Sequence, residues 1–260
     1  MMGLNRKILK YEFLNIIRSR WILFFSILLF VLSFALIQIT GDYEKSLVAL
    51  LSITSVLVPL VALFFTTVSW YYSDRFTELL LTQPIPRRQI FFARVLSLIA
   101  SLSLCSGLAP AVPFLIRGYF SMGLLSWMGS VLFLSAVFTL MGLWGGISVA
   151  DRIKGIGAAF GLWLYFTLIH DGVTLLVLVF FKDYPMDWVA ALIGCLNPIG
   201  LVRVVLLTIF DSALLLGHTG AIVREFMLGL GGQVVSLGIA GLWISIPTLF
   251  AYKKFNSRDF

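Results

Sequence analysis

The feature that most constrains this chain is a series of long apolar stretches without the alternating pattern of a β-strand. They cover residues 21–39, 47–72, 91–116, 124–149, 155–181 and 227–252. A helix needs about 20 apolar residues to cross a bilayer, and lipid offers no hydrogen-bond partners to an open strand. Composition agrees, since 60% of the residues are hydrophobic, 12% are charged and the mean hydropathy is +1.02. The sequence therefore predicts an all-α polytopic membrane protein with six transmembrane helices.

A basic, amphipathic segment precedes the first apolar stretch. Residues 1–20 predict an interfacial helix, and no convincing signal-peptide cleavage site follows it. Its apolar side chains are expected to face lipid, namely Tyr11, Phe13, Leu14, Ile16 and Ile17. The whole chain, 1–260, is predicted to form one membrane domain without a soluble domain.

Lys and Arg residues are distributed unevenly between the two sides of the predicted bundle. Of the 19 such residues, 14 fall on the side that carries both termini. The other five are Lys45, Arg117, Lys182, Arg203 and Arg224. Because cytoplasmic loops are enriched in Lys and Arg, both termini are predicted to lie in the cytoplasm, with the chain in a bacterial inner membrane. The net charge of +7 then reflects topology and anionic headgroups rather than nucleic-acid binding.

One long connection, 182–226, is predicted to lie on the extracytoplasmic side. Polar residues and a proline interrupt its apolar part, 188–216, so we expect short helices at the surface, with a seventh span as the alternative. This region offers the largest outer surface and hence the candidate contacts for an outer partner. These are Trp188, Asn197, Pro198 and Arg203.

A short amphipathic segment, 73–90, separates the second and third apolar stretches on the cytoplasmic side. Its prolines end the predicted helix because proline cannot continue the helical hydrogen bonding. Such an insert is typical of a docking element for a soluble partner, with an ordinary interfacial loop as the alternative. The candidate docking residues are Asp74, Arg75, Glu78, Leu79, Leu80, Leu81, Pro84, Arg87 and Arg88.

This segment resembles the coupling segment of ABC-2 type transporter permeases. The matching residues are Glu78, Leu79, Leu80, Pro84, Arg87 and Arg94. Residues 154–171, 196–203 and the basic ending 253–260 are similar to one branch of that family, which serves the maturation of nitrous-oxide reductase. The resemblance covers nearly the whole chain.

The resemblance implies a non-catalytic permease subunit that works with a cytoplasmic ABC ATPase. It further implies a second copy of the chain, surrounding membrane lipid and, for the branch, a periplasmic β-helical partner in copper-site assembly of nitrous-oxide reductase. ATP and Mg²⁺ would belong to the ATPase, since this chain has no Gly-x-x-x-x-Gly-Lys-Ser/Thr loop. The alternatives are an ABC-2 exporter of a lipid, drug or polysaccharide, and a single-chain secondary transporter.

Few polar side chains fall within the predicted spans. Asp171 is a candidate cavity residue, because an acid within a span usually faces protein or water; the alternative is a solvated or helix-bonded group near the outer interface. The scattered His, Cys and Met residues form no short-spaced ligand motif, so we expect no metal site and no cofactor on this chain. Gly142 with Gly146, and Gly157 with Gly161, predict close helix packing within the chain or a dimer seam.

Overall fold

The computed structural model describes residues 2–73, 77, 79–80, 82–83, 85–181, 193–209 and 229–258. Every regular element in these ranges is helical. The elements are α1 (Met2–Ile17), α2 (Arg20–Thr40), α3 (Tyr43–Tyr72), α4 (Arg87–Ile116), α5 (Met122–Ser148), α6 (Arg152–Leu164), a π-helical turn (Tyr165–Ile169), α7 (His170–Phe180), α8 (Pro198–Ile209) and α9 (Leu230–Asn256). The all-α fold class predicted from the sequence is confirmed.

Six of the described helices are long and apolar enough to cross a membrane, as predicted. They are α2, α3, α4, α5, the rod that α6 and α7 form through the π-helical turn, and α9. Several of these helices begin a few residues before the predicted apolar stretch, because a polar residue caps the start of the helix. Asp42 accepts hydrogen bonds from the backbone of Glu44 and Lys45 at the start of α3, and Asp151 does the same for α6.

The spans bring the ends of the helices to two opposite faces of the bundle. We call the face with α1, the 73–86 connection, Val149–Asp151 and Ser257 the termini end. The far end carries Gly41–Asp42, Arg117–Ser121 and residues 193–197. The 12 described residues of helix α8 extend about 18 Å, which is less than the thickness of the hydrocarbon layer. Most of the 182–226 connection, including Trp188, lies outside the described residues.

Helices α3 and α5 form the centre of the bundle, and glycines let them approach closely. A Cβ atom added to Gly142 would lie 2.8 Å from the Leu63 carbonyl oxygen, and one added to Gly146 would lie 3.2 Å from the Trp70 side chain. Thr67 Oγ1 donates to the Gly142 carbonyl at 3.0 Å across the same contact. This pair of glycines therefore serves packing within the chain, one of the two roles predicted for it.

Helix α1 packs along α4 rather than lying apart from the bundle. Ser97 Oγ of α4 donates to the Leu9 carbonyl at 3.1 Å. Tyr11 and Leu14 are exposed, but Ile16 is only 8% exposed and belongs to the main hydrophobic core. The prediction that Ile16 faces lipid is wrong, because the turn at Arg18–Ser19 folds α1 back against α4 and covers this side chain.

We predict that Gly142→Ala lowers the free energy of unfolding by about 1–3 kcal/mol, because its Cβ would press on the α3 backbone. The control is Gly145→Ala on the same helix, where an added Cβ meets nothing within 4 Å. The control should be neutral or gain up to about 1 kcal/mol of helix propensity. Denaturation of the purified chain in detergent measures both, and equal effects would contradict the close contact.

Candidate functional site

The connection between α3 and α4 is held against the bundle by two apolar side chains. Leu80 and Ile85 are 8% and 7% exposed, and they pack in one cluster with Trp70, Phe91 and Phe255. Leu79 is 65% exposed. Of the residues predicted for docking, Leu79 is therefore accessible to a partner, whereas Leu80 is buried against other residues of the same chain. Asp74, Arg75, Glu78, Leu81 and Pro84 lie outside the described residues.

Arg94 ties the beginning of this connection to α3. Its guanidinium donates to the Ser69 carbonyl at 3.1 Å, to Thr77 Oγ1 at 3.0 Å and to Ser73 Oγ. It also lies 4.9 Å from the centre of the Trp70 ring. Arginine suits this position because its planar donors reach several acceptors at once while its face stacks on an aromatic ring. Arg94 is the last residue of the segment that resembles a coupling segment, and it holds the beginning of that segment in place.

Arg87 joins the start of α4 to the end of α9. Its Nη1 donates to the Asn256 carbonyl at 3.1 Å and to the Arg258 carbonyl at 3.2 Å. The last carbonyls of a helix lack partners within the helix, so this cation satisfies groups that need a donor. Arg88, in contrast, is exposed, with its guanidinium 5.7 Å from the Phe92 ring. Arg88 and Leu79 therefore remain accessible on this face.

At the far end, an ion pair joins α7 to α8. Arg203 Nη1 donates to Asp171 Oδ2 at 2.6 Å, and each side chain is 36% exposed. His170 Nδ1 lies 4.0 Å from the other carboxylate oxygen. The sequence singled out both Asp171 and Arg203 but did not pair them. The sequence feature that could have indicated this pair is an acidic residue in one apolar stretch and a basic residue in the next one along the chain.

Asn197 connects the start of α8 to the π-helical turn. Its Oδ1 accepts from the Ile199 backbone N–H at 2.9 Å, and its Nδ2 donates to the Phe166 carbonyl at 2.6 Å. Asparagine before a proline at the first helical position is a favoured helix start. Because Asn197 is fully buried, it can order the surface at the far end of the bundle but cannot itself touch a partner. Leu196, beside it, is 66% exposed.

Within the part of the chain that the structure describes, no three His, Cys, Asp or Glu side chains are grouped as a metal site would need. The two cysteines, Cys105 and Cys195, are free thiols. Tetrahedral and octahedral metal sites take several such ligands in one place. The described residues therefore present exposed side chains at each end of the bundle and, among them, no metal-binding group of this kind.

Two curated relatives match nearly the whole chain. The chain is 25% identical over 271 residues to a Pseudomonas aeruginosa protein named probable ABC transporter permease protein NosY, with 96% of this chain and 97% of the relative covered. It is 27% identical over 276 residues to the protein of the same name from Stutzerimonas stutzeri, with 93% and 94% covered. No protein-family model matches. These similarities support an ABC transporter permease subunit that is NosY-like, and they confirm the resemblance drawn from the sequence.

We predict that Arg94→Lys loosens the connection between α3 and α4, because a lysine ammonium cannot reach three acceptors and stack on Trp70 together. Amide hydrogen exchange at residues 77–90 should become faster by about tenfold, the equivalent of one lost hydrogen bond. Arg88→Lys, an exposed arginine on the same helix, is the control and should leave exchange unchanged. Unchanged exchange in Arg94→Lys would show that Arg94 does not hold the connection.

We predict a measurable coupling between Asp171 and Arg203. A double-mutant cycle with Asp171→Asn and Arg203→Gln should give about 0.5–1 kcal/mol, since each side chain of the pair is 36% exposed. The control cycle is Asp42 with Lys45, whose side chains are 46% and 76% exposed and whose charges lie 3.9 Å apart. That cycle should give a value near zero, and a similar value for both pairs would rule out a specific link between α7 and α8.

Proposed function

We propose that this chain is the membrane subunit through which a separate cytoplasmic ABC ATPase drives an extracytoplasmic partner, in copper-site assembly of nitrous-oxide reductase. The observation that carries this proposal is the similarity to the two NosY-named permeases over nearly the full length of both chains. On this proposal the termini end is cytoplasmic, and ATP and Mg²⁺ belong to the ATPase. A second copy of the chain and a periplasmic β-helical protein complete the assembly.

The connection between α3 and α4 has the properties that a docking element needs. Leu80, Ile85 and Arg94 fix it to the bundle, so a push on the exposed Leu79 reaches α3 and α4 instead of being absorbed by a free loop. Arg88, at the start of α4, adds an exposed cation at the same end of the bundle. Arg87 extends the same support to the end of α9. We infer that Leu79 and Arg88 touch the ATPase and that Leu80, Arg87 and Arg94 transmit its movement.

A chain of contacts runs from this element toward the far end. Tyr71 Oη donates to the Val149 carbonyl at 2.9 Å, and the Arg152 guanidinium lies 4.0 Å from the Tyr72 ring. Arg152 begins the rod that continues through the π-helical turn to Phe180. π-Helical turns are frequent at functional sites. This one meets Asn197, so tilting of the rod would move α8.

The proposed outer contact lies around α8. Exposed Leu196 and half-exposed Arg203 present an apolar and a charged group, while buried Asn197 holds the start of the helix in place. Movement of this surface would be the work delivered to the outer partner. No passage of a substrate through the bundle is required by this proposal.

We predict that Leu79→Asp abolishes copurification of the ATPase, because it places a charge at the centre of the apolar contact. Phe120→Asp, which alters a side chain 70% exposed at the far end, should retain it. The measurement is a pull-down of the tagged chain from native membranes in mild detergent, followed by mass spectrometry. Retention of the ATPase by Leu79→Asp, or its absence from the wild type, would contradict the proposed docking.

We predict that cells without this chain make nitrous-oxide reductase with depleted copper, and that wild-type chain, but not Leu79→Asp, restores the metal. Copper per purified reductase is the measurement, with the amount of reductase protein as the control. Full copper content in cells that lack the chain would contradict the assembly role. A β-helical protein in the pull-down supports assembly, whereas an ATPase pair alone would favour export.

A further inference from the structure

A polar pocket of about 250 Å³ lies at the termini end between α1, α3 and α4. Its lining includes Glu12 and Asn15 of α1, Ser69 and Tyr72 of α3, and Arg94 of α4. Arg94 already donates to the Ser69 carbonyl of α3 and to the Ser73 and Thr77 hydroxyls of the α3–α4 connection. Glu12 is the other charged residue that lines this pocket, and none of these hydrogen bonds involves its carboxylate.

One oxygen of Glu12 is buried without a hydrogen-bond donor among the described residues. Burial raises the pKa of the Glu12 carboxyl above its usual range, and the charge of Arg94 partly opposes this. A buried carboxylate oxygen without a donor is unfavourable, and a cationic N–H group is the partner that relieves it best. The pocket is thus suited to the ammonium group of a ligand.

An apolar groove of about 910 Å³ continues from this pocket along α2 and α3. The two share Asn15, Ile16, Ser69 and Tyr72 as lining residues. Beyond them the groove is almost wholly apolar, and its walls include Phe24, Leu28, Leu60 and Phe64. A polar pocket that opens into an apolar groove matches an amphiphile with a compact head and a long hydrocarbon tail.

The position of this site matches the headgroup level of a bilayer. Trp21 and Tyr72, 79% and 71% exposed, line the groove, and such aromatic residues are enriched at membrane interfaces. Arg18 and Ser19 line the groove next to Trp21. The ammonium group of a bound lipid would occupy the pocket with Glu12, and its phosphate would lie near the Arg18 cation. Its acyl chains would then follow the apolar groove.

We propose that the pocket and groove together form a binding site for a phospholipid with a primary ammonium headgroup, taken from the leaflet at the termini end. Phosphatidylethanolamine has this chemistry: its ammonium carries three N–H donors, whereas the trimethylated head of phosphatidylcholine has none and phosphatidylglycerol has no amine. The bound lipid would join α1 to α2 and α3 beside Arg94. The site needs neither the ATPase nor the copper role, so it stands apart from the proposed function.

The test uses the full-length chain in phosphatidylglycerol nanodiscs that contain a trace of phosphatidylethanolamine with a photoreactive acyl chain. Mass spectrometry should locate the label on peptides of α2 and α3. Unlabelled phosphatidylethanolamine should compete about tenfold better than phosphatidylcholine, because only the former donates to Glu12. Equal competition by the two lipids would overturn the proposal.

Three variants, two of them with matched controls, sharpen this result. Glu12→Gln should remove the preference for the primary amine, whereas Glu44→Gln, outside the groove, should retain it. Arg18→Gln should weaken competition by every unlabelled phospholipid, whereas Arg20→Gln should not. Leu60→Trp should reduce labelling by filling the groove.

Each variant is first checked for an unchanged elution volume and unfolding midpoint. An unchanged preference for the primary amine in folded Glu12→Gln, together with unaltered labelling of folded Leu60→Trp, would refute the site. Labelling absent from the wild type, with cysteines placed at position 28 of two copies forming a disulfide across the groove, would assign the groove to a second chain instead.

Discussion

The Trp70 side chain lies at the centre of the termini end because α5 has glycine where it meets α3. A side chain at position 146 would press on the Trp70 side chain, whose Cβ, Cγ and Cδ1 atoms would lie 3.2 Å from an added Cβ. The ring in turn faces the guanidinium groups of Arg94 and Arg258, at 4.9 and 5.7 Å. It also packs edge-on against Phe255, at 6.0 Å between ring centres. Three regions far apart in the sequence therefore meet on one aromatic surface.

The spans were predictable because lipid imposes a simple requirement: each crossing segment must be apolar, long and internally hydrogen-bonded. Their ends were less predictable. The helix at residues 43–72 starts four residues before its first expected position because Asp42 satisfies its first N–H groups. Polar starting residues belong to the helix without belonging to the apolar stretch, so hydropathy alone places such an end too late.

Contacts between helices were the part that the sequence could not supply. Leu79 and Leu80 are chemically identical neighbours, and only the three-dimensional fold, in which Leu80 packs against Trp70 and Phe91, decides that one is exposed and the other buried. Asp171 and Arg203 are 32 positions apart, and their pairing depends on how α8 folds back. Ile16 was misassigned for the same reason, since an apolar side chain on a surface helix suits lipid and protein equally well.

The π-helical turn also sets the angular position of everything that follows it in the rod. Such a turn is equivalent to one extra residue within an α-helix, and one residue corresponds to about 100° around the helix axis. Without the extra residue in Tyr165–Ile169, Asp171 would emerge on a different side of the rod from the one that Arg203 approaches. The ion pair is thus a consequence of helical phase, and a single-residue deletion in this turn would separate the two charges without altering either of them.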